Sequence, residues 1–198
     1  MPDTTENERR PSRSVMFPQW LPAYRTDDLR LVDWLRFAHA GIRLIAVDLD
    51  NTLAVHGSDK PDRYAREAVA VMQRAGLAVC LYSNAALNRD QRFAEALGID
   101  ALPGVSKPDP AALSAELKRR GLQANEVLVA GDQLFTDVWS ANRLGVRALL
   151  VSRRDRHELV TIRLKRAGEA IVTWLDRKGH AGVPAAPAVS VYMPRQMP

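Results

Sequence analysis

The sequence predicts an open α/β fold, a parallel sheet with helices on both faces, and three observations carry that prediction. Apolar, β-branched runs of strand length recur along the chain, helical patterns of about 10–15 residues separate them, and Gly or Pro marks the joints. The 198 residues also suit one domain of ordinary size, able to bury roughly 70% of its unfolded surface without disulfide or metal.

The elements follow in order. Residues 1–16 are polar and aperiodic and are expected to form a disordered arm, with ordered chain from Phe17. In TDDLRLVDWLRFAHAG, Leu31, Leu35 and Ala38, with Trp34 beside them, repeat at helical spacing. That predicts one helix capped by Thr26 or Asp27 and ended by Gly41. From Ile42, IRLIAVDL reads as a buried strand, and PDRYAREAVAVMQRAG as a helix with Pro61 at its start and Gly76 at its end. LAVCLY is a second strand and NRDQRFAEALG the helix after it. PDPAALSAELKRRG then gives a helix, EVLVAGD a strand, TDVWSANRLG a helix and VRALLV a fourth strand. A last helix is predicted over about Arg156 to Lys178, with Val160, Leu164, Ala167, Ile171, Trp174 and Leu175 on one face. Residues 181–198 are Pro/Ala-rich and read as a flexible tail, which leaves 17–180 as a single domain.

Composition narrows the function classes. Hydrophobic residues at 46% and charged residues at 26% exclude a mainly disordered chain. The lone cysteine, Cys80, excludes a disulfide framework and any multi-cysteine metal site, and its setting in LAVCLY marks it as a small buried hydrophobe. No apolar run approaches the roughly 18–20 residues of a membrane span. The opening MPDTTENERR is acidic and polar where a signal peptide is basic and then apolar, so the expected address is the cytoplasm. The net charge of +5 favours an anionic partner, and Val151 to His180 holds eight Lys/Arg against four Asp/Glu. By base rate such charges form a solvated face, and nucleic acid is not the expected partner. No feature specifies an oligomeric state.

Ligands of open parallel sheets bind beyond the carboxyl ends of the strands. The first predicted strand delivers Asp48 and Asp50 there, with Asn51 and Thr52. The second delivers Ser83 and Asn84, and the third Asp132, with Asp137 five residues on. Lys107 sits in the loop before the PDPAALSAELKRRG helix. Four carboxylates, a hydroxyl, an amide and an ammonium on one rim point to phosphoryl chemistry. Asp48 can attack phosphorus, while Asp50 protonates the leaving oxygen and then activates water. Two neighbouring carboxyls drive each other's pKa values apart, which suits two roles. Acidic oxygens without His or Cys indicate Mg²⁺, with Asp48 and Asp132 as ligands and Asp137 holding a metal-bound water. Lys107 and Ser83 can meet the phosphoryl oxygens, with Asn84 beside them, and Thr52 is expected to hydrogen-bond the turn that aims the aspartates. Asp137 could equally serve a helix dipole, and His56, in the loop after Asp50, is an ordinary loop residue by base rate.

The strings VDLDNTLA, LYSNA, SKPDP and GDQLFTDVWSANRLG resemble the haloacid dehalogenase (HAD) superfamily of phosphatases, and within it the YqeG-type family of class IIIA. The likeness runs from about Phe17 to His180. It implies a Mg²⁺-dependent phosphatase on a five-stranded, Rossmann-like, three-layer fold, with kinship to phosphatidylglycerophosphate phosphatases. Position by position it implies Asp48 as nucleophile, Asp50 as acid/base that also offers its carbonyl to the metal, Ser83 and Lys107 as phosphate contacts, and Asp132 as metal carboxylate. Specificity caps in this superfamily are inserted after the first or second motif. The short gaps from Asp50 to Pro61 and from Ser83 to Lys107 leave no room for one. An open rim suits a phosphorylated substrate on a bulky carrier, a phospholipid such as phosphatidylglycerophosphate first among them, met by peripheral membrane contact. A phosphotransferase shares every one of these residues. A non-catalytic binding module, using the basic C-terminal helix on RNA or a protein, is the alternative of another class.

Overall fold

The structure, a computed structural model, describes residues 18–154. The expected arm at 1–16, the basic helix at 156–178 and the tail at 181–198 lie outside the described residues. Six parallel strands form one sheet: β1 Tyr24–Thr26, β2 Leu44–Val47, β3 Ala78–Leu81, β4 Asp100–Ala101, β5 Val127–Gly131 and β6 Arg147–Val151, in the order β1-β6-β5-β2-β3-β4. The helices are α1 Trp34–His39, α2 Arg63–Arg74, α3 Leu87–Leu97, α4 Ala111–Arg120 and α5 Trp139–Arg143. The expected α/β fold is present, with six strands where the resemblance implied five.

The β2 strand shows why helices must cover both faces. Ile45 and Val47 enter one core with Trp34, Phe37, Met72 and Phe93, whereas Leu44 and Ala46 enter the other with Leu113, Leu117 and Val138. All four residues are fully buried, as period-2 alternation requires when no face is left to water. Between β2 and α2 run only residues 48–62, and between β3 and α4 only α3 and the short β4, so the described chain inserts no cap domain. Among the described residues no helix is long and apolar enough to cross a membrane.

The N-terminal region corrects the expected single helix. Asp28 caps a 3-10 turn at Leu29–Leu31, Val32 turns extended, and Asp33 caps the separate six-residue α1, its side chain accepting the Arg36 N–H. Two capping aspartates divide one apolar period into two short pieces. Leu35 is consequently 57% exposed, while Trp34 and Phe37 take the core. The residues expected to cap the long helix lie elsewhere: Thr26 ends edge strand β1, and Asp27 accepts a hydrogen bond from Ser152. Farther upstream, Trp20 packs edge-on against Phe135 and Trp139, bracing the segment that follows β5.

Candidate active site

Asp48 leaves the end of β2 and is buried; Asp50 follows two residues later at the rim. The tight turn that carries Asp50, residues 49–54, is closed by backbone, with Asn51 in the left-handed region (φ 59°) and the Ala54 N–H donating to Leu49 O at 2.8 Å. Asn is one of the few residues that tolerate this conformation. Thr52 does not brace the turn as expected: its buried hydroxyl has no hydrogen-bond partner. The turn is closed by main-chain bonds instead.

The β5 end supplies Asp132 and, through a single π-helical turn at Leu134–Val138, Asp137. Such turns are uncommon and frequent at functional sites. This one carries the Asp137 carboxylate back over the strand end, where the Gln133 N–H donates to its Oδ2 at 3.0 Å. The approach requires Gly131, because a Cβ there would sit 2.2 Å from Asp137 Cγ. One carboxylate oxygen each from Asp48, Asp132 and Asp137 then lie within 4.8 Å of one another, and all three residues are buried.

Lys107 faces this cluster from the loop before α4. Its buried ammonium donates to Asp48 Oδ1 at 2.6 Å, Asp137 Oδ1 at 2.5 Å and the Tyr82 carbonyl at 2.7 Å. Burial works against the charge on Lys107, but Asp137 and Asp48 more than offset it and hold the ammonium above its ordinary range. Asn84 was expected at the substrate phosphate. It instead uses both ends of its amide on Lys107, accepting from its N–H at 2.7 Å and donating to its carbonyl at 3.0 Å. The Ser83 Oγ accepts the Ala85 N–H at 3.0 Å, and the same hydroxyl meets the Asp90 carboxyl.

Two residues that sequence reasoning passed over complete the cleft. Arg89 grips Asp50 with two parallel hydrogen bonds of 2.8 Å. Buried Asp90 stands beside it, raised to about 6 mainly by burial, its Oδ1 without a partner. His56, with Nδ1 3.4 Å from Asp50 Oδ1, also lines the cleft. The two motif aspartates are driven apart in the sense opposite to their expected roles. Burial pushes Asp48 well above the carboxylate range, with Lys107 opposing. Burial raises Asp50 too, but the Arg89 hydrogen bonds and charge outweigh it and hold that group low. The open cleft has a volume of about 330 Å³, and Asp48, Asp50, Ser83, Arg89 and Lys107 share its lining.

Residues 18–145 match the family model of haloacid dehalogenase-like hydrolases. The chain belongs to that family. A Bacillus subtilis protein named probable phosphatase YqeG is 34% identical over 142 residues, which cover 70% of this chain and 81% of that protein. Two phosphatidylglycerophosphate phosphatases are 30% identical. The match to the Chlamydomonas reinhardtii enzyme covers 64% of this chain and 50% of that one; the match to the Arabidopsis thaliana enzyme covers 80% and 49%. The chain thus spans about half the length of these two relatives. As a haloacid dehalogenase-like hydrolase with phosphatases among its relatives, the chain is an enzyme of the phosphatase class.

Proposed function

We propose that this phosphatase is Mg²⁺-dependent and hydrolyses a phosphate monoester through a phosphorylated Asp48. The observation that carries the reading is Asp48 itself, whose Oδ1 is fixed by Lys107 while its buried Oδ2 has no hydrogen-bond partner. An acceptor left open beside two more buried carboxylates costs free energy unless something binds there. Ionised, Asp48, Asp132 and Asp137 would carry three negative charges against the single ammonium of Lys107, so the cluster fits a divalent cation. All-oxygen donors without His or Cys favour Mg²⁺.

Asp48 and Asp132 would hold the ion, with the Asp50 carbonyl, and Asp137 would hold a water on it. Bound there, the cation would bring Asp48 down to its ionised form and offset charge on the phosphoryl oxygens. The chain's own residues do the rest. The Asp48 carboxylate attacks phosphorus, and the ester P–O bond breaks as Asp50, which takes a proton from solvent once substrate parts it from Arg89, gives that proton to the leaving oxygen. Asp50, now ionised, takes a proton from water as that water attacks phosphorus; the bond to Asp48 breaks and inorganic phosphate leaves. Lys107 and Ser83 hold the phosphoryl oxygens, and Asn84 keeps Lys107 in place.

For the substrate we favour phosphate on a bulky carrier, with phosphatidylglycerophosphate foremost, reached by peripheral contact of a cytoplasmic domain spanning about residues 17–180. The capless, open cleft supports this, since it has nothing to close over a small metabolite and exclude water. The algal and plant relatives, both named phosphatidylglycerophosphate phosphatases, point the same way. Phosphate release with Mg²⁺ should favour the lipid in anionic vesicles over soluble sugar phosphates and nucleotides by about tenfold or more in kcat/KM. A soluble metabolite that wins by about a hundredfold, with no vesicle binding at low salt, would rule the lipid out. Beryllium fluoride with Mg²⁺ should label Asp48.

A further inference from the structure

Both carboxylate oxygens of Asp50 are occupied. Arg89 donates Nη1 to Oδ2 and Nη2 to Oδ1, each at 2.8 Å, from the wall of the same cleft that holds Asp48, Ser83 and Lys107. While that pair is closed, each oxygen spends a lone pair on Arg89 and Oδ1 also accepts the Gly57 N–H at 3.2 Å, so the carboxyl is turned to the fork rather than to a leaving group. The guanidinium is anchored independently of Asp50: its Nε donates to the Ser58 carbonyl at 2.8 Å, and its Cζ lies 5.6 Å from the Phe93 ring centroid. It therefore keeps its place when the Asp50 side chain turns toward substrate.

Opening the pair strands a planar, permanently charged fork whose side chain is only 14% exposed. A charge so placed is costly without a partner, and an oxyanion with two oxygens matches the fork as well as a carboxylate does. We propose that Arg89 is a specificity-determining residue, exchanging Asp50 for a second anionic group carried on the leaving part of the substrate. The proposal rests on the phosphatase reading above and adds a substrate class to it: phosphate monoesters whose leaving group bears a further oxyanion. Spacing follows from the geometry. The leaving oxygen must hydrogen-bond Asp50, and Arg89 stands one hydrogen bond beyond, so the second anion belongs within roughly 5–6 Å of that oxygen. A three-carbon spacer reaches this far.

Three substrates separate the sources of such an anion: propyl phosphate, which lacks one; propane-1,3-diol bisphosphate; and phosphatidylglycerophosphate in neutral-detergent micelles. With Mg²⁺, the wild-type protein should prefer the bisphosphate to propyl phosphate by about tenfold or more in kcat/KM. In Arg89→Gln that ratio should collapse toward unity, chiefly through KM for the bisphosphate, and Arg89→Lys should recover part of it. Calorimetric titration of Asp48→Asn with the bisphosphate should show the same dependence on Arg89 without turnover. If the lipid falls with the bisphosphate, the fork reads a phosphodiester; if only the bisphosphate falls, it reads a soluble second phosphate. Arg89→Gln lowering all three substrates by one common factor would overturn the proposal and leave Arg89 a brace for Asp50. A wild type that releases phosphate from none of them would overturn the proposed substrate class, whereas an Asp48→Asn that still does would overturn the phosphatase mechanism itself, a distinguishable failure.

Discussion

Two charge clusters in this molecule are built from the same groups and do opposite things. At the end of α4, Glu116 accepts from Arg119 through both of its oxygens, at 2.7 Å each, and from Arg120; Arg120 also reaches Asp100. The Arg119 hydrogen bonds, with Arg120, hold Glu116 down at about 2. Around Lys107 the balance runs the other way: three buried carboxylates face one ammonium, and Asp48 keeps an oxygen without a partner. The first cluster balances two arginines against two carboxylates and closes its hydrogen bonds at the surface. The second is left short of positive charge in the interior, a deficit that protonation of Asp48 or a bound cation relieves. Open valence, more than the presence of charge, separates chemistry from scaffolding here.

That contrast can be broken at its strongest point first. Asp48→Asn should lower phosphate release by about a thousandfold or more, because an amide is a very poor nucleophile at phosphorus, while the fold persists by circular dichroism. Near-normal turnover would remove Asp48 from the mechanism. A finer test lies within the acidic cluster. Asp132→Ala should weaken Mg²⁺ activation by about 10–100-fold and Asp137→Ala by less, if the first touches the ion and the second holds its water. Metal titrations of activity decide this, and a larger loss at Asp137 reverses the assignment.

The smallest effect is expected at α4 and should be purely one of stability. Glu116 has a folded pKa of about 2, below its ordinary 4.5, so its contribution is full above about pH 4.5 and is lost as pH falls toward 2. Discounted for the exposure of Arg119, Glu116→Gln should cost about 1–2 kcal/mol at pH 7. The difference from wild type should shrink on acidification, with kcat unchanged. Urea titrations at pH 7 and pH 3 measure both; a gap that does not narrow would refute the assigned pKa.

The parts legible in the sequence were those with a period or a motif. Buried runs such as IRLIAVDL announce β2, and D-x-D at a strand end announces Asp48 and Asp50. The missed strands are those too short to show a period: β1 has three residues at a half-exposed edge, and β4 has two. Arg89 was hidden for another reason. In LNRDQRFAEAL it looks like any charge on a helix, and only the folded backbone shows that its side chain turns inward to Asp50. Asn84 and Thr52 illustrate the same limit, since the sequence names a polar group without naming its partner. The split at Asp33 was available in principle, because Asp28 and Asp33 are both good N-caps within a supposed single helix.

The ammonium of Lys107 also bears on how the molecule comes together. It bonds to groups at the ends of β2, β3 and β5, lying 59, 25 and 30 residues away along the chain. Each contact closes a loop of tens of residues, and all three are made together only where the ends of β2, β3 and β5 lie side by side. The nucleophile therefore acquires its cation only once these three strands are paired. The same three strands thus assemble both the middle of the sheet and its catalytic centre, and turnover regained during refolding reports their pairing.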